Sequence, residues 1–362
     1  MKVIFLEPYP TEGPSSRYRV EQYIPYLRAN GVTCIVRPFI SSAFYRILYK
    51  KGMHFRKFLY FCAGMAGRTV DLFRALSCDA VFIHLEAFPF GPPVMEWLLA
   101  VLGKKIIYDL DDAIYLRTAS PTNSFLMRLK CPWKIPKIIG LSRHVITCNE
   151  HLLKYSLEYN RNVTVIHTSV DTDRFKPAAK APSGGITIGW IGSHSTAKYL
   201  GSLKGVFEKL ASSGEKYRFM IKVIGASRRV FDIAGVEIIY KDWELGSEIG
   251  EFQSLDIGVY PLPDDEWTAG KTGFKTIQYM SVGVPCVASD AGPNRVIIEE
   301  GVNGFFAKDD DEWVRKLSGL MDDRGLRERI GAAGRKTVLE KYSLEVNAPK
   351  ILGIIRDVAG VM

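Results

Sequence analysis

Residues 256–288 read DIGVYPLPDDEWTAGKTGFKTIQYMSVGVPCVA, and the order of apolar and polar positions in them sets the fold class. An apolar run, Asp256–Tyr260, passes through a proline- and acid-rich turn into an amphipathic segment opened by Gly270. A second apolar run follows at Cys286–Ala288. Short apolar runs joined by amphipathic helices form βαβ units, in which parallel strands are covered on both faces and so carry few polar residues.

The same alternation continues in both directions. It predicts strands at Ile186–Ile191, Phe219–Ile224, Val236–Ile239, Ile257–Tyr260 and Gly304–Ala307, with a helix over Ala197–Leu210. In the first half it predicts strands at Val3–Leu6, Val32–Arg37, Ala80–His84, Lys105–Asp109, Val145–Thr147 and Val163–His167, with helices over Arg17–Ala29 and Pro92–Leu102. The polar run Thr168–Pro177 and the following Pro182-Ser183-Gly184-Gly185 interrupt the pattern and mark a domain boundary. The expected organisation is an α/β chain of two doubly wound parallel sheets. A first domain spans 1–170, a linker 171–185 and a second domain 186–341. A final segment, 342–362, carries a helix (Leu344–Val358) that crosses back to the first domain. Ligand crevices lie at the carboxyl ends of such strands, which points to the cleft between two such domains.

Composition narrows the function classes. The chain has 362 residues, 47% apolar and 24% charged, which excludes disordered and fibrous classes. Its net charge of +9 is one-sided: 24 basic against 14 acidic residues up to Lys176, and 24 against 25 from Pro177 onward. A basic half beside a neutral half points to an anionic partner. The amino-terminal apolar run is too short for a signal peptide, and the longest charge-free stretch of the basic region, Phe58–Gly67, is half the length a membrane span needs. Six cysteines without a CxxC pair read as reduced, buried thiols, so a cytoplasmic location is expected.

Three turns carry candidate chemistry. Gly192-Ser193-His194-Ser195-Thr196 follows a strand and precedes a helix, where open backbone N–H groups suit an anion; capping by Ser195 or Thr196 is the alternative. In Gly270-Lys271-Thr272-Gly273-Phe274-Lys275-Thr276-Ile277-Gln278, the two lysines are four apart and are expected on one helix face, beside a helix start suited to a diphosphate. A solvated face is the competing reading of Lys275. A P-loop is excluded, because Asp265 stands where that motif needs glycine. In the first half, Asp109-Leu110-Asp111-Asp112 ends a strand: either a solvent-facing turn or a group that orients or deprotonates an acceptor hydroxyl. His84 ends a neighbouring strand, as a crevice residue or a satisfied core histidine. Ser15, Ser16 and Arg17 stand at the first strand-to-helix junction, a second candidate anion site.

The second half resembles the nucleotide-sugar-binding domain of the family-four (group 1) retaining glycosyltransferases of the GT-B fold. Gly283-Val284-Pro285-Cys286-Val287-Ala288-Ser289 resembles their G-x-P-V-V-A-S strand, and Glu300-Gly301-Val302-Asn303-Gly304-Phe305 their E/D-G-x-N-G-F turn. Val170-Asp171-Thr172-Asp173-Arg174-Phe175-Lys176-Pro177 resembles their V-D-x-x-x-F-x-P linker, and the run from Gly270 to Met280 the subset carrying G-K-x-x-F-K-x-x-Q-Y-M. The family's E-x7-E pair falls on Gly270 and Gln278, and its Arg–Lys pair on Ser193 and Lys198, so both carboxylates and the arginine are missing.

The resemblance implies transfer from a nucleotide-diphosphate sugar to a saccharide acceptor, without a metal or other cofactor. Gly192, Ser193 and Lys198, together with Gly270, Lys271, Thr272, Gly273, Phe274, Lys275 and Gln278, would bind the donor. Lys271 would offset the leaving-group charge, and Asp111 or Asp112 would serve the acceptor. A sugar-nucleotide epimerase of the same fold and a non-catalytic sugar-nucleotide-binding protein are the alternatives.

Residues 43–74 interleave basic and aromatic side chains, as an interfacial helix does, and Arg128, Lys130, Lys134, Lys137 and Arg143 with Trp133 form a second basic run. The expected partner is an anionic membrane surface presenting a lipid-linked acceptor, with the protein peripheral at the inner face, in cell-surface polysaccharide or glycolipid synthesis. The alternative is that these aromatics fill the core. No nucleic-acid recognition motif accompanies the charge.

Overall fold

The computed structural model describes residues 1–48, 50, 52–116, 130–179, 185–193, 196–212, 218–226 and 229–360. Tyr49, Lys51, Arg128, the Pro182–Gly184 part of the linker, His194 and Ser195 lie outside the described residues. The chain divides into two compact units. The first comprises Met1–Ser169, Gly270–Thr272 and Leu344–Met362, and the second Val170–Ala269 and Gly273–Ser343.

Six parallel strands build the first unit: β1 (Lys2–Glu7), β2 (Thr33–Pro38), β3 (Ala80–His84), β4 (Ile106–Leu110), β5 (His144–Thr147) and β6 (Val163–Val165), in the order β2-β1-β3-β4-β5-β6. The strand order reverses between β1 and β3, so the carboxyl ends of these two strands flank a topological switch point, the place where doubly wound sheets take ligands. Strands β3 and β4 are buried along their whole length, which is why they read as continuous apolar runs. The carboxyl-terminal helix Leu344–Ala359 belongs to this unit, and its Ile351, Leu352 and Ile355 pack with Val3, Phe5 and Ile107.

The second unit holds β7 (Ile186–Ile191), β8 (Phe219–Ile224), β9 (Glu237–Lys241), β10 (Ile257–Tyr260), β11 (Cys286–Ser289) and β12 (Phe305–Ala307), in the order β12-β11-β10-β7-β8-β9. This is the dinucleotide-fold order, with its switch point between β7 and β10. Trp190, Phe207, Trp313 and Leu317 anchor its core. Val170–Lys176, expected as a hinge linker, is held within this unit: Arg335 donates to the carbonyls of Thr172, Phe175 and Ser281.

Three helix expectations need correction. Arg17–Ala29 is split into Pro14–Arg19, a 3-10 turn Glu21–Tyr23 and Ile24–Ala29, because Val20 leaves helical geometry and Pro25 can only stand in a first turn. Ala197–Leu210 is likewise broken at Gly201 into two helices joined by a 3-10 turn. The third break touches the candidate site. Helices cover Glu266–Ala269 and Phe274–Ser281, and Gly273 between them adopts φ 64°, a conformation that favours glycine. Lys271 is therefore not on the helix that carries Lys275, and the two do not share a helical face.

Candidate functional site

At the carboxyl edge of the first sheet a chain of polar groups replaces the apolar core. Asp109, the fourth residue of β4, is 1% exposed and receives Arg19 in a two-point ion pair. The guanidinium also donates to the Ile166 carbonyl at 2.7 Å. Burial works to raise the Asp109 carboxyl; Arg19 and the His84 hydrogen bond more than reverse it and hold the group below the usual carboxylate range. His84, ending β3 and fully buried, places Nδ1 2.8 Å from Asp109 Oδ2 and Nε2 2.7 Å from Ser15 Oγ. Ser15 Oγ donates to Asp111 Oδ2 at 3.0 Å.

These contacts decide between the readings left open by sequence. The Asp109–Asp112 turn is not solvent-facing, since Asp109 and Asp111 are buried. His84 is satisfied inside the fold, yet in contact with the hydroxyl of the partly exposed Ser15. Ser16 is not an anion ligand: it is fully buried, with its Oγ accepting from the Tyr9 N–H. Arg17 is mostly buried and donates to the Thr11 carbonyl at 3.0 Å. With the helix behind them only six residues long, the junction is a packed corner and not an anion cradle.

Asp112 and Lys271 both belong to the first unit. Gly270 packs so close to Ala113 that a Cβ there would stand 2.4 Å from the alanine Cβ, and Asn149 donates to the Lys271 carbonyl at 2.7 Å. The other end of the Asn149 amide caps the helix Glu150–Leu157. Burial pushes the Asp112 carboxyl up to about 6 against the opposing charge of Lys271, so it titrates close to neutral pH. Asn149 carried no signal in the sequence beyond its capping position before a helix.

In the second unit, Gly192 and Ser193 follow β7 at its carboxyl end, and the Ser193 N–H is taken up by Thr196 Oγ1 at 3.2 Å. The helix beyond, Ala197–Leu200, has four residues and runs on through a 3-10 turn into Lys204–Ala211. Lys198 is exposed and lies over the Tyr199 ring at 4.9 Å. Gln278, expected to touch ribose or sugar, is fully buried; it accepts from Lys275 Nζ at 2.9 Å and lies against Glu248, so it positions Lys275 and does not reach a ligand. Thr272 and Phe274 are partly buried on either side of Gly273. Among the described residues, no group of three His, Cys, Asp or Glu side chains is placed to hold a metal ion.

The basic, aromatic segment divides in two. Phe44, Tyr45, Tyr60 and Phe61 pack with Phe39 and Phe88, as the core reading has it. Phe55, Phe58 and Phe73 are 73%, 61% and 66% exposed. The helix His54–Leu76 that carries them is inverted: its buried side holds Arg68 and Asp71, and the exposed stripe holds Phe55, Leu59, Phe73 and Leu76. Asp71 pairs with the buried Arg68 and with the partly exposed Arg37 and Arg74, and Lys134 is buried against Glu86 at 2.8 Å, so Arg68 and Lys134 are not available to a surface partner.

Residues 252–337 match the family described as Glycosyl transferases group 1. A curated relative, sulfoquinovosyl transferase SQD2 of Arabidopsis thaliana, is 30% identical over 171 residues, covering 44% of this chain. The match spans 31% of that relative's length. Among solved structures, a glycosyltransferase from Rickettsia africae superposes with a TM-score of 0.70 at 16% identity, over 99% of this chain and 98% of its own. Sucrose-phosphate synthase from Thermosynechococcus elongatus reaches 0.70 at 12% identity, with full coverage of both chains. Anabaena HepE, solved with UDP and glucose, reaches 0.68 at 13% identity, over 99% of this chain and all of its own. The architecture is the two-domain α/β GT-B fold.

Proposed function

We propose that the protein is a retaining glycosyltransferase that moves a sugar from a nucleotide-diphosphate sugar to a saccharide acceptor carried on a lipid. The observation that carries this reading is that Gly270, next to Lys271, packs against Ala113 directly after the carboxylate turn Asp111–Asp112 at the end of β4, in a chain whose residues 252–337 match the group 1 family. In the reaction the C1–oxygen bond to the diphosphate breaks and its electron pair leaves with the nucleoside diphosphate. The acceptor oxygen forms the new bond to C1 on the same face. Lys271 and Lys198 offset the charge that grows on the leaving diphosphate, where fixed cations act most strongly. The turn after β7 and the backbone at Gly273-Phe274 take the donor, with Lys275 steadied by Gln278. Asp112 orients the acceptor hydroxyl. UDP in the HepE structure supports a nucleotide-sugar donor, as does the sulfoquinovosyl transferase relative.

The test is release of nucleoside diphosphate from UDP-, GDP-, ADP- and dTDP-sugars, with the product's anomeric configuration read by NMR. A donor at 100 times its dissociation constant adds about 2.7 kcal/mol to stability, which identifies the right one first. Lys271→Ala is expected to lower kcat/KM by about 100-fold. Release unchanged by that substitution removes Lys271 from the site.

We further assign the exposed stripe of His54–Leu76 to an anionic membrane surface. The helix is about 35 Å long, and its outward aromatics, with Arg56 and Lys57 beside them, suit an in-plane position. Among the described residues, no helix is long and apolar enough to cross a membrane. The protein is expected to pellet with anionic vesicles at low salt, and Phe55→Ser with Phe58→Ser to cut the bound fraction by about tenfold or more. Failure of the unmodified protein to pellet overturns the assignment.

A further inference from the structure

The chain Arg19–Asp109–His84–Ser15–Asp111 contains more bases than the proposed reaction has used. Its hydrogens can be counted. Arg19 leaves Asp109 an acceptor, so the 2.8 Å contact puts the hydrogen of His84 Nδ1 on the bond to Asp109. Ser15 Oγ then has one hydrogen and two neighbours that accept, His84 Nε2 at 2.7 Å and Asp111 Oδ2 at 3.0 Å. With His84 neutral and Asp111 ionised, only one of these contacts is a hydrogen bond. One further proton, on either partner, makes both of them bonds. The trio therefore gains a hydrogen bond by taking up a proton.

Exposure says where that proton enters. His84 is fully buried, Asp109 is 1% exposed, and Asp111 Oδ1 is buried without a hydrogen-bond partner. Ser15 is the member that stands partly exposed. We propose that Ser15 is the port through which the acceptor hydroxyl's proton leaves, handed on to the buried His84 and Asp111. This rests on the transfer reaction proposed above. As the acceptor oxygen bonds to C1, its O–H bond breaks and the proton goes to Ser15 Oγ. The serine's own hydrogen moves to His84 Nε2 or Asp111 Oδ2, so the serine ends as it began. On the His84 branch, the Asp109 carboxylate stabilises the imidazolium so formed, held in place by Arg19; neither touches the substrate. The charged groups about this relay are Arg19, Asp109, Asp111 and, one residue on, Asp112 with Lys271.

The experiment compares Ser15→Ala and Ser15→Thr with the unmodified enzyme in full turnover with donor and acceptor. A port predicts that kcat falls about 10- to 100-fold in Ser15→Ala with KM little changed, and that Ser15→Thr, which keeps the hydroxyl, restores most of it. A full rate in Ser15→Ala, or equal losses in both variants, overturns the port. A spectroscopic arm needs no turnover: the His84 ring nitrogen resonances are expected to respond to Asp111→Asn when Ser15 is present and not in the Ser15→Ala background. An equal response in both backgrounds shows coupling through space and also overturns it. If the unmodified enzyme transfers no sugar from any donor, the transfer reaction itself falls. If it transfers and Ser15→Ala does so equally well, only the port falls.

Discussion

Arg19→Met is expected to lower the unfolding free energy by about 3–5 kcal/mol, a large share of a domain's total stability. The guanidinium is 2% exposed and supplies both bonds to Asp109, and it also satisfies the Ile166 carbonyl. Methionine fills much of the space and leaves Asp109 buried with only His84 for a partner. The damage comes from the stranded carboxylate more than from the lost attraction, so Arg19→Met combined with Asp109→Leu recovers part of the loss. The pH sign follows from the depressed Asp109 carboxyl. Its contribution is present above the ordinary carboxylate range and is lost as pH falls through the lower folded value. Urea titration of the single and double variants decides the matter. A single-variant loss below about 1 kcal/mol would mean that water reaches Asp109.

Glu7→Gln is expected to act in the opposite direction. Glu7 ends β1 fully buried, with its carboxyl against that of Glu21. Burial first, and then the nearby Glu21, push its carboxyl from 4.5 up to about 9 against the pull of Arg68. The folded state thus keeps a proton that the unfolded chain releases. Stability is greatest below the unfolded value, declines as pH rises from about 4.5 to about 9, and is level above that. Near pH 7 the cost is about 3 kcal/mol, which glutamine, unable to ionise, avoids. Thermal melts from pH 5 to 9 are expected to show the variant more stable at pH 7 to 8 and less dependent on pH. Parallel curves for the two proteins would contradict a protonated Glu7.

Several elements were legible from sequence because one local signal determined each. Ala80–His84, Ile186–Ile191, Phe219–Ile224 and Ile257–Tyr260 are strands over the very residues whose apolar runs announce them. Both faces of a parallel strand are covered, so nothing polar interrupts the run. Helices proved less readable where a single residue breaks a long amphipathic period, as Val20 and Gly273 do. Lys271, Asp111 and Asp112 stood out as charges in turns after strands, the positions that doubly wound sheets leave open.

The pairing of those charges was not legible. Arg19 and Asp109 are 90 residues apart, Ser15 and His84 are 69 apart, and Asn149 and Lys271 are 122 apart. No spacing rule connects such pairs, because their distance is set by which strands lie side by side. Sequence by itself determined the two parallel-sheet units and the charged turns at their strand ends, since apolar periodicity and turn chemistry act over a few residues. Tertiary structure alone decided that Gln278 and Ser16 are sealed, that His54–Leu76 turns Phe55, Phe58 and Phe73 outward, and that a partly exposed serine fronts a buried histidine and two aspartates. Burial and ion pairing depend on what the rest of the chain brings to each residue.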